Sequence, residues 1–271
     1  MTLSGAQFES LSTLLRQETA VVIDMSKEYL VEARLTQLAR DEGFATIADL
    51  VDRVLTQRTS ALTHRVLLAL TTHETSFFRD QAPFEALRTV LLPTLIRARS
   101  KTRTLTIWSA GCSSGQEPYS IALLLADSFP ELSSWKINIR ATDINPFLLQ
   151  QARTGVYSAL EVARGLPQLF LDTYFSQTED GFQIREDIRA RVELSEKNLM
   201  KPWSPFTADI IFLRNVLIYF APSSRKTVLA AIHKTLAADG YLIMGTAESP
   251  RHIYEGFTSA NVAHTNVFVK T

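Results

Sequence analysis

One stretch constrains the fold more than any other: Trp108-Ser109-Ala110-Gly111-Cys112-Ser113-Ser114-Gly115-Gln116-Glu117-Pro118-Tyr119-Ser120. An apolar run carrying Leu105, Ile107 and Trp108 ends in small residues, and a helical pattern starts at Pro118. Strand, tight small-residue turn and helix is how an α/β sheet builds a site for a nucleotide-sized ligand. The glycines let backbone come close to that ligand, and the helix start offers N–H groups that have no partner inside the helix.

From that turn onward the elements alternate. Lys136–Thr142 reads as a second strand ending at Asp143, and Asn145-Pro146 starts a helix through Arg153. A short helix is expected around Pro167–Tyr174. Asp209–Leu213 and Tyr241–Gly245 are continuous apolar runs of the kind buried on both faces. Pro222 opens a helix predicted to run through Ala238, where Asp239-Gly240 ends it. Phe257 to Val269 reads as two strands. Alternation of this kind implies a mostly parallel sheet with helices on both faces. Residues 176–195 depart from it: Phe182–Ile184 and Arg191–Leu194 flank polar residues, which predicts a hairpin or an excursion leading into a strand.

Ahead of the turn, residues 1–80 read as helix throughout. Phe8, Leu11, Leu14 and Leu15 follow helical spacing after Ser4, and a second helix runs from Ser26 to Gly43. Thr46 and Asp49 have the spacing of a capping box ahead of Leu50, Val51, Val54 and Leu55. Leu62, Val66, Leu67 and Leu70 mark a fourth helix. The expected organisation is a helical domain over 1–80 and a sheet domain over 81–271, with a small β-insertion at about 176–195.

Composition removes several function classes. Twenty-eight basic residues balance 28 acidic ones, so no global field draws the chain to nucleic acid or to a membrane surface. The lone cysteine, Cys112, excludes an internal disulfide and fits a reducing compartment. No apolar run approaches the roughly 20 residues of a membrane span. Met1–Gly5 carries neither a basic leader nor a long apolar stretch, so no signal peptide is expected. A cytoplasmic location follows as the expectation.

Motif by motif, familiar chemistries fall away. Gly111-x-x-x-Gly115 does not match a dinucleotide fingerprint, and no Gly-Lys-Ser/Thr follows to make a phosphate loop. The histidines at 64, 73, 233, 252 and 264 lack metal-ligand spacing, and no Gly-x-Ser-x-Gly elbow is present. What remains is a set of polar residues at the carboxyl ends of the expected parallel strands: Glu117, Asp143, Asn198-Leu199 and Arg214-Asn215. Open α/β sheets bind their ligands at that edge. An acidic residue after the second strand, here Asp143, can accept hydrogen bonds from both hydroxyls of a ribose.

These residues carry a resemblance. Thr75-x-Phe77-Phe78-Arg79, the 108–120 stretch, Ala141-Thr142-Asp143-Ile144 and Arg214-Asn215-Val216-Leu217-Ile218-Tyr219-Phe220 resemble the signatures of CheR-type chemotaxis receptor methyltransferases. The likeness runs in order from Tyr29-Leu30-Val31 to the last strand. It implies a class I S-adenosylmethionine-dependent methyltransferase fold: a doubly wound, mostly parallel sheet with a terminal antiparallel strand. An all-α domain would precede it, and a β-hairpin subdomain would be inserted in it. It also implies methyl transfer to glutamate side chains on the cytoplasmic signalling bundle of chemoreceptors, with S-adenosylhomocysteine as product. Carried over by motif, Thr75, Arg79, Gly111, Glu117, Asp143, Asn198, Leu199, Arg214 and Asn215 would line the cofactor pocket. His73 stands where the family often has asparagine, and its imidazole can still hydrogen-bond, which keeps it among the candidate cofactor contacts.

The chemistry then suggests further roles. A glutamate carboxylate is ionised at neutral pH and needs no general base, so positioning matters most. Arg79 is the candidate for guiding a carboxylate, either the incoming glutamate or the cofactor's own. Tyr219 is the candidate for packing or hydrogen bonding near the sulfonium. Residues 53–103 hold nine Arg/Lys against three acids, and Lys27, Arg34 and Arg53 are candidates for docking an acidic receptor bundle. Some family members grip a receptor's C-terminal peptide with the β-subdomain through a longer, glycine-rich turn. Ser176–Gly181 is short and has only Gly181, so recognition independent of such a peptide is expected. Nothing demands more than a monomer. Two other readings stay open: methyl transfer to a different carboxylate or small molecule, and a cofactor-binding module without turnover.

Overall fold

The computed structural model describes residues 3–260, 262 and 265–271. The chain divides into two compact units, residues 1–72 with 219–225, and residues 73–218 with 226–271.

The first unit is built from α1 (Gly5–Thr19), α2 (Glu28–Asp41), α3 (Ile47–Thr56) and α4 (Ala61–Leu70). Their starts follow side-chain chemistry. Thr46 and Asp49 form the reciprocal capping box expected for α3, and Ser4 with Gln7 forms a second one at α1. Phe8, Leu11, Leu15, Leu35, Leu50, Val54, Val66 and Leu70 are buried. Segment 219–225 joins this unit through backbone: Val22 N–H donates to the Tyr219 carbonyl at 2.9 Å and Ala221 N–H to the Ala20 carbonyl at 3.1 Å.

The second unit is a seven-stranded sheet with a separate three-stranded sheet. Its strands are β1 (Thr104–Ala110), β2 (Lys136–Asp143), β3 (Val156–Tyr157), β4 (Phe175–Thr178), β5 (Gly181–Ile184), β6 (Val192–Glu196), β7 (Ala208–Leu213), β8 (Leu236–Met244), β9 (Phe257–Ala260) and β10 (Val267–Lys270). The large sheet runs β6-β2-β1-β7-β8-β10-β9. From β6 to β8 every pairing is parallel, and β10 pairs antiparallel with both β8 and β9. The strand order reverses at β1, which therefore opens a crevice beyond its carboxyl end. Helices α5 (Ala82–Ala86), α6 (Leu92–Ala98), α7 (Gln116–Ser128) and α8 (Pro146–Thr154) belong to this unit. Between α5 and α6 the turn Leu87–Leu91 widens to a π-helix. Pro93 lies just beyond, and a wider turn accommodates a ring that would crowd the preceding carbonyls.

Three expected boundaries move. The helical unit ends at 72 rather than 80, because Phe77 is fully buried among Tyr157 and Phe175 of the sheet unit. The β-insertion expected at 176–195 is the sheet β3-β5-β4, spanning 156–184, while β6 joins the main sheet beside β2. The helix from Pro222 ends at Thr235, not Ala238. There Ala208 pairs with Leu236 and Ile210 with Tyr241, so the residues between form a bulge of β8.

A cation explains that bulge. Arg99 Nε donates to Asp209 Oδ1 at 2.9 Å, and its two terminal nitrogens grip Asp239 at 2.7 and 2.5 Å. Asp209 Oδ2 in turn accepts from Thr106 N–H at 2.8 Å. We expect Arg99→Ala to lower unfolding free energy by about 1–3 kcal/mol, read by urea unfolding. The hydrogen bonds from Arg99 hold the Asp239 carboxyl below the ordinary aspartate value. That stability is present above the ordinary value and lost as pH falls through the lowered one, so the difference between wild type and variant should narrow in acid.

Candidate active site

The turn after β1 is held from several sides. Gly111 and Cys112 N–H both donate to the Thr142 carbonyl, at 2.7 and 2.9 Å, tying the end of β1 to the end of β2. Trp108 Nε1 donates to Thr142 Oγ1 at 2.9 Å beneath them. Tyr157 Oη donates to the Ser114 carbonyl and Tyr119 Oη to the Ala152 carbonyl, both at 2.7 Å. Gly111 has φ +81°, and a Cβ there would lie 2.5 Å from Val216 Cγ2. Gly115 has φ +96°, and a Cβ there would lie 2.8 Å from Ala152 Cβ. Both glycines are thus required by conformation and by space. Cys112 is buried, and burial pushes its thiol well above the ordinary value, which leaves it a packing residue.

Asp143 ends β2 and is buried. Its Oδ2 accepts from Ser113 N–H at 2.8 Å and its Oδ1 from Asn145 N–H at 2.9 Å. Burial raises its pKa, against the pull of those two donors. Each carboxylate oxygen retains acceptor capacity beyond one bond. Asn145 caps α8 and lies 3.3 Å from His73 Nε2, while Ser113 Oγ donates to the His73 carbonyl at 2.7 Å. His73 therefore sits beside the Asp143 turn.

Glu117, in the first turn of α7, accepts from Ser109 Oγ at 2.8 Å and from Arg214 at 2.9 Å. Arg214 follows β7, and its side chain is 1% exposed. It also bonds Asp80 at 2.8 Å and the Arg79 carbonyl at 2.7 Å, and lies over the Phe84 ring. Its Nε is buried with no hydrogen-bond partner among the described residues. Arg214 thereby gathers Glu117 and the 79–80 segment at one point. Arg79 is partly exposed and donates to the Glu74 carbonyl at 2.8 Å; Thr75 is also partly exposed. Asn198 and the buried Leu199 follow β6, and Asn198 Oδ1 accepts from Met200 N–H at 2.9 Å.

Asn215 has φ +58° and hands its N–H to Glu248 at 2.6 Å. Sequence reasoning missed Glu248, and also Asp80, Ser109, Ser113 and Asn145 as partners in the site. Asp80 was adjacent to a singled-out residue, and Asn145-Pro146 was legible as a helix start. Glu248 lies in an irregular stretch with no periodic pattern to mark it.

So His73, Thr75, Arg79, Gly111, Glu117, Asp143, Asn198, Leu199, Arg214 and Asn215 all fall in the sheet unit. Tyr219, Lys27, Arg34 and Arg53 fall in the helical one. Lys27 and Arg53 are exposed. Arg34 donates to the Leu70 and Thr71 carbonyls at 2.7 and 3.1 Å and to Thr72 Oγ1 at 3.1 Å, which closes the end of α4.

Comparison with known proteins matches the two units in turn. Residues 6–71 match the CheR methyltransferase all-alpha domain and residues 73–265 the CheR methyltransferase SAM binding domain. The chain belongs to the CheR methyltransferase family. Chemotaxis protein methyltransferases of Pseudomonas putida and Pseudomonas aeruginosa are each 38% identical to it over 255 residues, covering 92% of both chains. One from Vibrio parahaemolyticus is 36% identical, covering 92% of this chain and 91% of its own. An all-α domain is followed in the chain by a SAM-binding methyltransferase domain with a mostly parallel seven-stranded sheet, and S-adenosylmethionine is its cofactor. The donor set suits that molecule. Two acceptor carboxylates, Asp143 and Glu117, flank a turn of small residues, matching a ribose diol and an ammonium group in chemistry.

Gly111→Ala should weaken S-adenosylmethionine binding at least about tenfold, as a clash and a disfavoured φ are imposed together. Adding Val216→Ala should recover part of that loss, because the clash goes and the backbone strain stays. Titration calorimetry on both variants reads the difference.

Proposed function

We propose that this enzyme methylates glutamate side-chain carboxylates of bacterial chemoreceptors, forming glutamate methyl esters in the cytoplasm. The observation that carries the reading is the match of both units, in order, to the two domains of one methyltransferase family. Chemotaxis is named in the relatives' descriptions, and no described helix is long and apolar enough to cross a membrane.

When bound, S-adenosylmethionine supplies a methyl group on a positively charged sulfur and is left as S-adenosylhomocysteine. Asp143 accepts from the ribose hydroxyls in this reading, and Glu117 meets the ammonium. His73, Thr75, Gly111, Asn198, Leu199, Arg214 and Asn215 complete the pocket. Arg214 acts from behind Glu117, since its guanidinium is already shared with Glu117 and Asp80.

No residue has to remove a proton, because the acceptor is already a carboxylate at neutral pH. The chain's task is to align it and exclude water. Arg79 guides a carboxylate, with the bond to the Glu74 carbonyl fixing one of its nitrogens. Its pairing with the acceptor has to stay loose, since a tight ground-state ion pair would raise the barrier. Lys27 and Arg53 present charge to an acidic bundle, while Arg34 frames the end of α4. The two-residue turn between β4 and β5, with Thr178 paired to Gly181, supports recognition without a receptor C-terminal peptide. The protein acts as a monomer in this reading.

Incubation with methyl-labelled cofactor and receptor signalling fragments should give base-labile label on the fragments. Arg79→Ala should cut kcat/KM by about 100-fold or more. Cofactor binding without any base-labile product would contradict turnover, and label on a different acceptor would move the substrate. Micromolar binding of a receptor C-terminal peptide would contradict peptide independence. Burial raises the Asp143 pKa, and its role needs the ionised form. Cofactor affinity should therefore fall as pH drops, beginning above the ordinary aspartate range, and Asp143→Ala should abolish that pH dependence.

A further inference from the structure

Glu248 is a carboxylate buried to 5% exposure, and four backbone N–H groups converge on it. Oε2 accepts from Asn215 at 2.6 Å and from Gly245 at 3.0 Å; Oε1 accepts from Val216 at 3.0 Å and Ile218 at 3.2 Å. Three of the four donors lie in the loop after β7, and Gly245 follows β8. One side chain thus fixes the exit of one strand from the exit of its neighbour.

The holding side is itself fixed. Asn266 Nδ2 donates to the carbonyls of Gly245, Thr246 and Glu248 at 2.9, 3.2 and 3.0 Å, which orients the 245–248 segment. A Cβ on Gly245 would lie 2.7 Å from Glu248 Oε2 and 3.0 Å from both the backbone N and the Nδ2 of Asn215, so a side chain there would push against the clamp. The held loop faces the cofactor turn, since Val216 Cγ2 occupies the space a Cβ on Gly111 would need. Asn215 also keeps a left-handed φ of +58°, a conformation that an asparagine tolerates but that needs a fixed partner to persist.

We propose that Glu248 is a positioning residue for methyl transfer. It acts as an internal anion that clamps the 215–218 loop, and so sets Asn215 and the Val216–Gly111 contact for S-adenosylmethionine. The inference rests on the reading of Asn215 as a cofactor contact. Glutamine at this position keeps the shape but turns an NH2 group toward two N–H donors. Aspartate keeps the charge but is one methylene short.

The test uses the full chain. Glu248→Gln, Glu248→Asp, Asn215→Ala and the Glu248→Gln/Asn215→Ala double variant are compared by circular dichroism, S-adenosylmethionine calorimetry and initial rates. Glu248→Gln should remain folded, with cofactor Kd and KM raised about tenfold and the receptor-fragment KM unchanged. A purely structural role would instead lower the active fraction, seen as reduced kcat at unchanged cofactor KM, and would overturn the proposal. Glu248→Asp carries the same expectation at smaller size and decides the matter if Glu248→Gln does not fold. In the double variant the losses should be less than additive, because both changes act on one loop. Full additivity overturns the proposal. If Asn215→Ala binds cofactor like the wild type, the cofactor role of Asn215 fails. If Asn215→Ala loses affinity and neither Glu248 variant does, the positioning role fails alone.

Discussion

The site depends on buried carboxylates that accept backbone N–H groups where parallel strands end. A β-strand leaving a sheet gives up its ladder partners, and buried amides cannot stay unbonded. Asp143 takes up the amides of Ser113 and Asn145, and Glu248 those of Asn215, Val216, Ile218 and Gly245. Glu117 plays a related part, holding the Ser109 hydroxyl and the Arg214 guanidinium. Each loop is thereby pinned by a negative charge already inside the protein, before any ligand arrives.

That pinning explains where backbone strain is tolerated. Phe78, Asp80, Ser113 and Asn215 are non-glycine residues with left-handed φ between +47° and +58°. Such conformations cost on the order of 1–3 kcal/mol each and persist only where the surroundings enforce them. Here a side chain from another segment enforces each one. Ser120 Oγ accepts from Phe78 N–H, Asp143 from Ser113 and Glu248 from Asn215, while Arg214 holds the Asp80 side chain. Four of the seven described non-glycine residues with positive φ thus lie on loops that contain candidate cofactor residues, while Ala20, Arg103 and His252 lie elsewhere; on those loops preorganisation serves a reaction that depends on alignment.

Much of this architecture was readable from the chain. Apolar period and turn residues marked β1, β2, β7 and α1–α4, because those elements bury one consistent face or none of their polar groups. The α3 capping box was legible because its two residues are local. The misplaced boundaries share a different physics. Phe77 belongs to the sheet unit through contacts with Tyr157 and Phe175, distant in sequence. The β8 bulge forms around Arg99, whose acidic partners lie 110 and 140 residues away. Within the site, Asp143 and Glu117 could be found by their place after a strand and at a helix start. Glu248 could not, since its meaning lies wholly in amides from the 215–218 loop. Arg34 looked like surface charge and proved to close the end of α4.

The central claim is that these loops are preformed, and amide hydrogen exchange of the cofactor-free protein tests it most directly. Ser113, Asn145, Asn215, Val216 and Ile218 should exchange slowly, with protection approaching that of the β1 and β7 amides. Fast exchange at these amides in the free protein, slowed only when S-adenosylmethionine is added, would contradict the account.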